Sequence, residues 1–200
     1  MLDFLAKGGV LVVPILLCSV FALAIFLERL IRFALLKKRG EELASKVAAL
    51  VMSGEEQAAY ETALRSNSPM GKILVQALEV KDKERETLET VIVHATDEQV
   101  RGLSKYLQAL ATIGNIAPLL GLLGTVIGMI KAFMVIQEMG GKVNAAVLAG
   151  GIWEAMLTTA LGLSVALPTI IAHSYLVSLV GNHEARLQSG AVTFMKAINR

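Results

Sequence analysis

Three long, predominantly apolar stretches, each long enough to cross a bilayer, constrain this chain more than any other feature. The first is "GGVLVVPILLCSVFALAIFL", Gly8 to Leu27; the second runs from about Leu107 to Ile136; the third begins near Ala145 and stays apolar to Val180. About 20 apolar residues suffice to span a hydrocarbon core of about 30 Å. Inside that core no water satisfies backbone N–H and C=O groups, and a helix satisfies its own. The expected fold is therefore an all-α membrane protein with three transmembrane helices. Composition agrees: of 200 residues, 54% are hydrophobic and only 18% charged, and the charge crowds into residues 28–105.

The first run exceeds the roughly 7–15 residues of a signal-peptide core, so it reads as a retained span, with Pro14 tolerated as a kink. Arg29, Arg32, Lys37, Lys38 and Arg39 follow it, whereas only Lys7 precedes it. Cationic flanks stay in the cytoplasm, which puts the N-terminus outside and the C-terminus inside. The expected divisions are 1–36 (N-terminal segment and first span), 37–106 (cytoplasmic helical domain), 107–137 (second span) and 138–144 (periplasmic turn). The third span with a cytoplasmic extension follows at 145–180, and a cytoplasmic tail at 181–200. Thirty-six apolar residues make about 54 Å of helix, more than a bilayer core, so the third helix should emerge before Gly181.

Between the first two spans the pattern is polar and helical. Leu43, Val47, Leu50 and Val51 recur at amphipathic spacing and stop at Gly54, and "SNSPMG" at 66–71 signals a turn. From Ile73 to Arg101 there is neither Gly nor Pro, so one long helix is expected to lead straight into the second span. Its charges, as in "KDKERE", nearly balance and read as a solvated face.

The second and third spans carry stripes of small residues. Gly114, Ala117, Pro118, Gly121, Gly124, Thr125 and Gly128 fall at steps of three and four, as do Gly151, Ala155, Thr159, Gly162 and Ala166. Small residues let membrane helices approach closely, and helix packing explains most of them. Glu154 asks for more. A carboxylate at bilayer depth is costly and marks an ion or proton path by default. Thr158 lies four residues on, at nearly the same azimuth, Thr159 lies on the adjoining small-residue face, and Thr125 could approach from the second span. The alternative is a structural hydrogen bond between helices. Lys131, near the far end of its span, can snorkel to the interface. One three-span chain encloses little space, so a pathway would need several copies in a ring or a partner helix.

Other chemistries lack support. Cys18 is the only cysteine, the three histidines are scattered, and no metal-ligand spacing, phosphate-binding loop or nucleophile elbow occurs. No metal, cofactor or enzymatic activity is expected. A net charge of +2 without a basic, aromatic-laced patch argues against nucleic acid.

"IGNIAPLLGLLGTVIGMIKAF" followed by "GIWEAMLTTALGLSVALP" resembles the ExbB/TolQ/MotA family of ion-channel subunits, and ExbB and TolQ more than MotA, whose chains carry a larger cytoplasmic domain. The match is specific over about residues 110–180. The resemblance implies a pentameric ring in the bacterial cytoplasmic (inner) membrane whose second and third spans line a lumen. It implies a single-span ExbD- or TolR-like partner inside the ring, whose aspartate binds the proton, and delivery of work to a TonB- or TolA-like periplasm-spanning protein. Under it, Glu154, Thr125 and Thr159 take the lumen-lining positions, with Thr158 favoured by helical geometry alone. H⁺ is favoured over Na⁺ by a single acid with hydroxyl neighbours. The competing class is a non-conducting oligomeric scaffold, which leaves Glu154 unexplained.

Overall fold

The computed structural model describes residues 9–36, 40–138 and 145–198. The expected periplasmic turn, apart from Glu138, lies outside the described residues, as do Lys7, Lys37, Lys38, Arg39 and Arg200. Among the described residues the chain is helical throughout, without a strand: α1 Val12–Leu35, α2 Gly40–Met52, α3 Glu56–Arg65, α4 Pro69–Glu79, α5 Arg85–Ser104, α6 Leu107–Glu138 and α7 Ala145–Ile198. Three stretches are long and apolar enough to cross a membrane, centred on α1, α6 and α7.

The helices divide into two compact units. One takes Met1–Leu30 and Tyr106–Tyr175, the other Ile31–Lys105 and Leu176–Arg200. The first holds most of α1, all of α6 and the first 31 residues of α7. Its principal contact is a backbone-close seam between α6 and α7. On α6 the buried positions Gly114, Ala117, Gly121, Gly124, Gly128 and Ala132 recur every three or four residues. They meet α7 in antiparallel register: Ala132 faces Gly151, Gly128 faces Ala155, Gly124 faces Thr158, and Gly121 faces Thr159 and Gly162. At Gly162 a Cβ would stand 2.6 Å from the carbonyl oxygen of Ala117 and 3.2 Å from Cα of Gly121. Here the absence of a side chain is a packing requirement. The large side chains point the other way: Leu119, Leu122 and Phe133 on α6 and Met156, Leu167 and Ile171 on α7 are exposed, as lipid-facing or subunit-facing residues of a span must be. Pro118 sits half-buried inside α6.

The second unit has an ordinary hydrophobic core. Ala44 and Val47 of α2, Ala59 and Ala63 of α3, Met70, Ile73, Leu74 and Ala77 of α4, and Leu88, Ile92 and Ala95 of α5 are buried together with Leu187, Ala191 and Phe194 of α7. Local chemistry sets the corners. After α2, Gly54 adopts φ +79°, its N–H bonds Val51 O at 3.1 Å and Glu55 N–H bonds Leu50 O at 2.9 Å, the two hydrogen bonds of a Schellman stop. Before α4, Ser68 Oγ accepts from Gly71 N–H at 3.1 Å and Pro69 occupies the first turn.

The single long helix expected from Ile73 into the second span is replaced by α4, α5 and α6. The chain turns at Val80–Glu84, where no apolar residue after Val80 is available for one face to bury. That reversal lets Ile73 and Leu74 share a core with Leu88 and Ile92, and an ion pair between Lys81 and Glu56 ties the corner. A second break falls at Lys105–Tyr106, where Lys105 is extended (ψ 134°) and Tyr106 takes φ 68°. The Arg29 guanidinium stands 5.2 Å from the centroid of the Tyr106 ring, a cation–π contact for a buried arginine that also bonds Glu28 at 2.5 and 3.2 Å. The third apolar helix does not end before Gly181. α7 continues through it to Ile198, about 81 Å in all, because Leu187, Ala191 and Phe194 bury against α2–α5. That burial outweighs the roughly 1 kcal/mol an interior glycine costs.

Candidate functional site

The α6–α7 register decides what meets Glu154. The seam holds the two helices antiparallel, so a residue near the end of α6 lies beside one near the start of α7. Lys131 and Glu154 are such a pair: Lys131 Nζ donates to Glu154 Oε1 at 2.9 Å. The lysine side chain stays half-exposed while its ammonium reaches the carboxylate. The pair was missed in the sequence, although the signal was present. Two opposite charges at similar distances from one hairpin turn are candidates to meet, whatever the turn's conformation.

The third wall is residues 9–11, the segment just before α1. Gly9 has φ +70°, and a Cβ there would overlap Glu154 Oε1. Only glycine satisfies both the backbone conformation and the space. Gly9, Val10 and Leu11, with Gly124, Ile127 and Lys131 of α6 and Glu154 and Thr158 of α7, line a cavity of about 200 Å³. The Glu154 side chain keeps 27% of its exposure, so the carboxylate is reachable while packed on two sides.

The hydroxyls divide. Thr158 is 2% exposed and lines the cavity; its Oγ1 donates to Ala155 O at 2.8 Å, with Glu154 O at 3.3 Å. Its burial depends on Gly124, where any Cβ would collide with the Thr158 side chain. With its hydrogen committed to the backbone, the Thr158 oxygen presents lone pairs as an acceptor. Thr159 does not line this cavity. Its Oγ1 donates across the seam to Gly121 O at 3.0 Å and ties the two helices. Thr125 donates to Leu122 O within its own helix at 2.7 Å. Within one chain, then, Glu154 and Thr158 come together, with Lys131 and Gly9 added, while Thr125 and Thr159 stand apart. Of the packing residues singled out in the sequence, Gly114, Gly121, Gly124, Gly128, Gly151 and Gly162 all face the opposite helix, and Pro118 flanks that seam.

A carboxylate, an ammonium and an acceptor hydroxyl on one small cavity can hold, exchange or relay a proton. Residues 65–189, which include both helices of the seam, match the MotA/TolQ/ExbB proton channel family. The chain belongs to this family. An ExbB-like biopolymer transport protein of Synechocystis is 30% identical over 183 residues, covering 90% of this chain and 87% of that protein. A second from the same organism is 32% identical over 181 residues, 90% of this chain and 71% of the relative. A biopolymer transport protein of the ExbB type from Vibrio cholerae is 45% identical over 82 residues, 41% of this chain and 36% of that protein. The family assigns the chain to proton-channel and transport subunits, and the three apolar stretches agree with a membrane location.

Proposed function

We propose that the chain is a subunit of a proton-driven motor in the bacterial cytoplasmic membrane, with Glu154 on or beside the proton path. Several copies, five by family resemblance, form a ring around the helix of an ExbD- or TolR-like single-span subunit. The work is passed to a TonB-like periplasm-spanning protein that serves outer-membrane transport. The observation that carries this reading is the Glu154 carboxylate opening on a cavity walled by residues 9–11 just before α1, by α6 and by α7. A structural salt bridge alone would gain nothing from retaining such a cavity.

The energetics are adequate. A proton crossing 100 mV releases about 2.3 kcal/mol, several times thermal energy. The biopolymer-transport role given to the relatives supports an ExbB-like assignment; a TolQ-like role in envelope maintenance uses the same site and the same chemistry. Thr158 serves as the hydroxyl neighbour of Glu154. Thr159 and Thr125 contribute through the helix faces they stabilise or present to other copies.

The test is proton flux into liposomes that hold the chain with its single-span partner, wild type against Glu154→Gln. Gln keeps the size and hydrogen bonding of Glu. The expected result is a loss of flux of about tenfold or more, the scale of a removed acid–base group, with an unchanged oligomer mass. Full flux in the variant would refute the assignment and leave the oligomeric scaffold as the better reading.

A further inference from the structure

The charged residues lining the Glu154 cavity, among those described, are Glu154 itself and Lys131. Their pairing leaves one carboxylate oxygen with two neighbours. Oε1 has the Lys131 ammonium at 2.9 Å on one side and the Gly9 backbone close against it on the other. The remaining polar group, the Thr158 hydroxyl, points its hydrogen at backbone carbonyls. A monovalent metal ion at a carboxylate draws further oxygens around it and is repelled by a cation a few ångströms away. Here a cation is already present, covalently tethered to α6. A proton has no such requirement, because it bonds to one oxygen and abolishes the charge that held the ammonium.

We propose that Lys131 is a specificity-determining residue of the site: a tethered cation that holds the place a free Na⁺ or K⁺ would take at Glu154 and leaves the carboxylate open to a proton alone. The proposal rests on the reading of Glu154 as an ion-path residue, and it adds the reason that the path is closed to alkali ions. Removing the charge of Lys131 while keeping Glu154 creates a vacant anionic site. Lys131→Gln does so and retains a hydrogen-bonding group next to the carboxylate. Lys131→Met is the second neutral variant, used where Gln fails to assemble. Lys131→Arg keeps the charge and is the conservative control.

The readout is the unfolding midpoint of the detergent-purified full-length oligomer in NaCl against choline chloride at equal concentration. An ion that binds the folded state alone raises the midpoint, by about 2 °C for weak binding at about 300 mM salt. The wild type and Lys131→Arg are expected to show no sodium-specific rise. Lys131→Gln or Lys131→Met is expected to show it, and the added change Glu154→Gln to remove it. A sodium-specific rise in the wild type, or none in either neutral variant, overturns the proposal. A rise that persists when Glu154 is also replaced overturns it too, since the ion would then bind elsewhere. None of these results depends on flux. If Glu154→Gln conducts normally, the ion-path reading fails by itself; if it does not and the neutral lysine variants ignore sodium, only the role of Lys131 fails.

Discussion

Replacing Gly162 with alanine tests the α6–α7 seam directly, because intrinsic propensity and packing predict opposite signs. In a helix interior alanine is favoured over glycine by about 1 kcal/mol. Against that, the new Cβ would stand 2.6 Å from the Ala117 carbonyl oxygen, where an ordinary contact begins at 3.4 Å. Its next neighbours are Cα and N of Gly121 at 3.2 and 3.3 Å. All three obstacles are backbone, so no rotamer change relieves them, and the helices must separate locally. Overpacking of this kind costs about 1–3 kcal/mol. The net expectation is destabilisation by up to about 2 kcal/mol, a fall of up to about 8 °C in unfolding midpoint for a chain of this size. Gly150 is the control in the same helix: a Cβ there meets nothing within 4 Å, so Gly150→Ala should be neutral or slightly stabilising. The assay is thermal unfolding of the detergent-solubilised oligomer, followed by circular dichroism. A Gly162→Ala midpoint at or above wild type would refute the seam as the close contact, as would equal losses in both variants.

Thr159→Val keeps the shape of the side chain but removes its hydrogen bond to Gly121 O; a loss of about 0.5–1.5 kcal/mol is expected in the same assay. Phe194 is fully buried in the α2–α5 core, so Phe194→Ala should cost about 3–5 kcal/mol, and limited proteolysis should then cut within residues 40–105 before the spans.

The three spans were legible because a long apolar run has one solution in a bilayer. The small-residue stripes were legible for a similar reason, since their period places them on one face of each helix. The corners of the polar unit were harder. Gly54 and Ser68–Pro69 carry recognisable turn chemistry, but the reversal at Val80–Glu84 has neither Gly nor Pro, and only the gain of a shared core among Ile73, Leu74, Leu88 and Ile92 selects it. The break at Tyr106 had no local signal, since a bulky residue rarely takes φ near 68°. The helix beyond Gly181 was not legible from the apolar run, which stops at Val180; packing of Leu187, Ala191 and Phe194 carries it on to Ile198. At the site, Glu154 and Thr158 were legible by helical spacing. Lys131 was legible only through its place opposite Glu154 across the hairpin, and Gly9 not at all, because it reaches the carboxylate from another segment and spacing along α7 says nothing about that.

A seam in which backbone lies almost directly on backbone has a mechanical consequence. Interlocked side chains can give way by changing rotamer, but Gly121, Gly124, Gly128, Gly151 and Gly162 have no rotamers to change. Helices α6 and α7 therefore form a single stiff stave rather than two members that slide past one another. In the ring proposed above, movement would then fall to the outer faces, where the exposed Leu119, Leu122, Met156 and Leu167 present deformable surfaces, and Glu154 and Lys131 would be carried together.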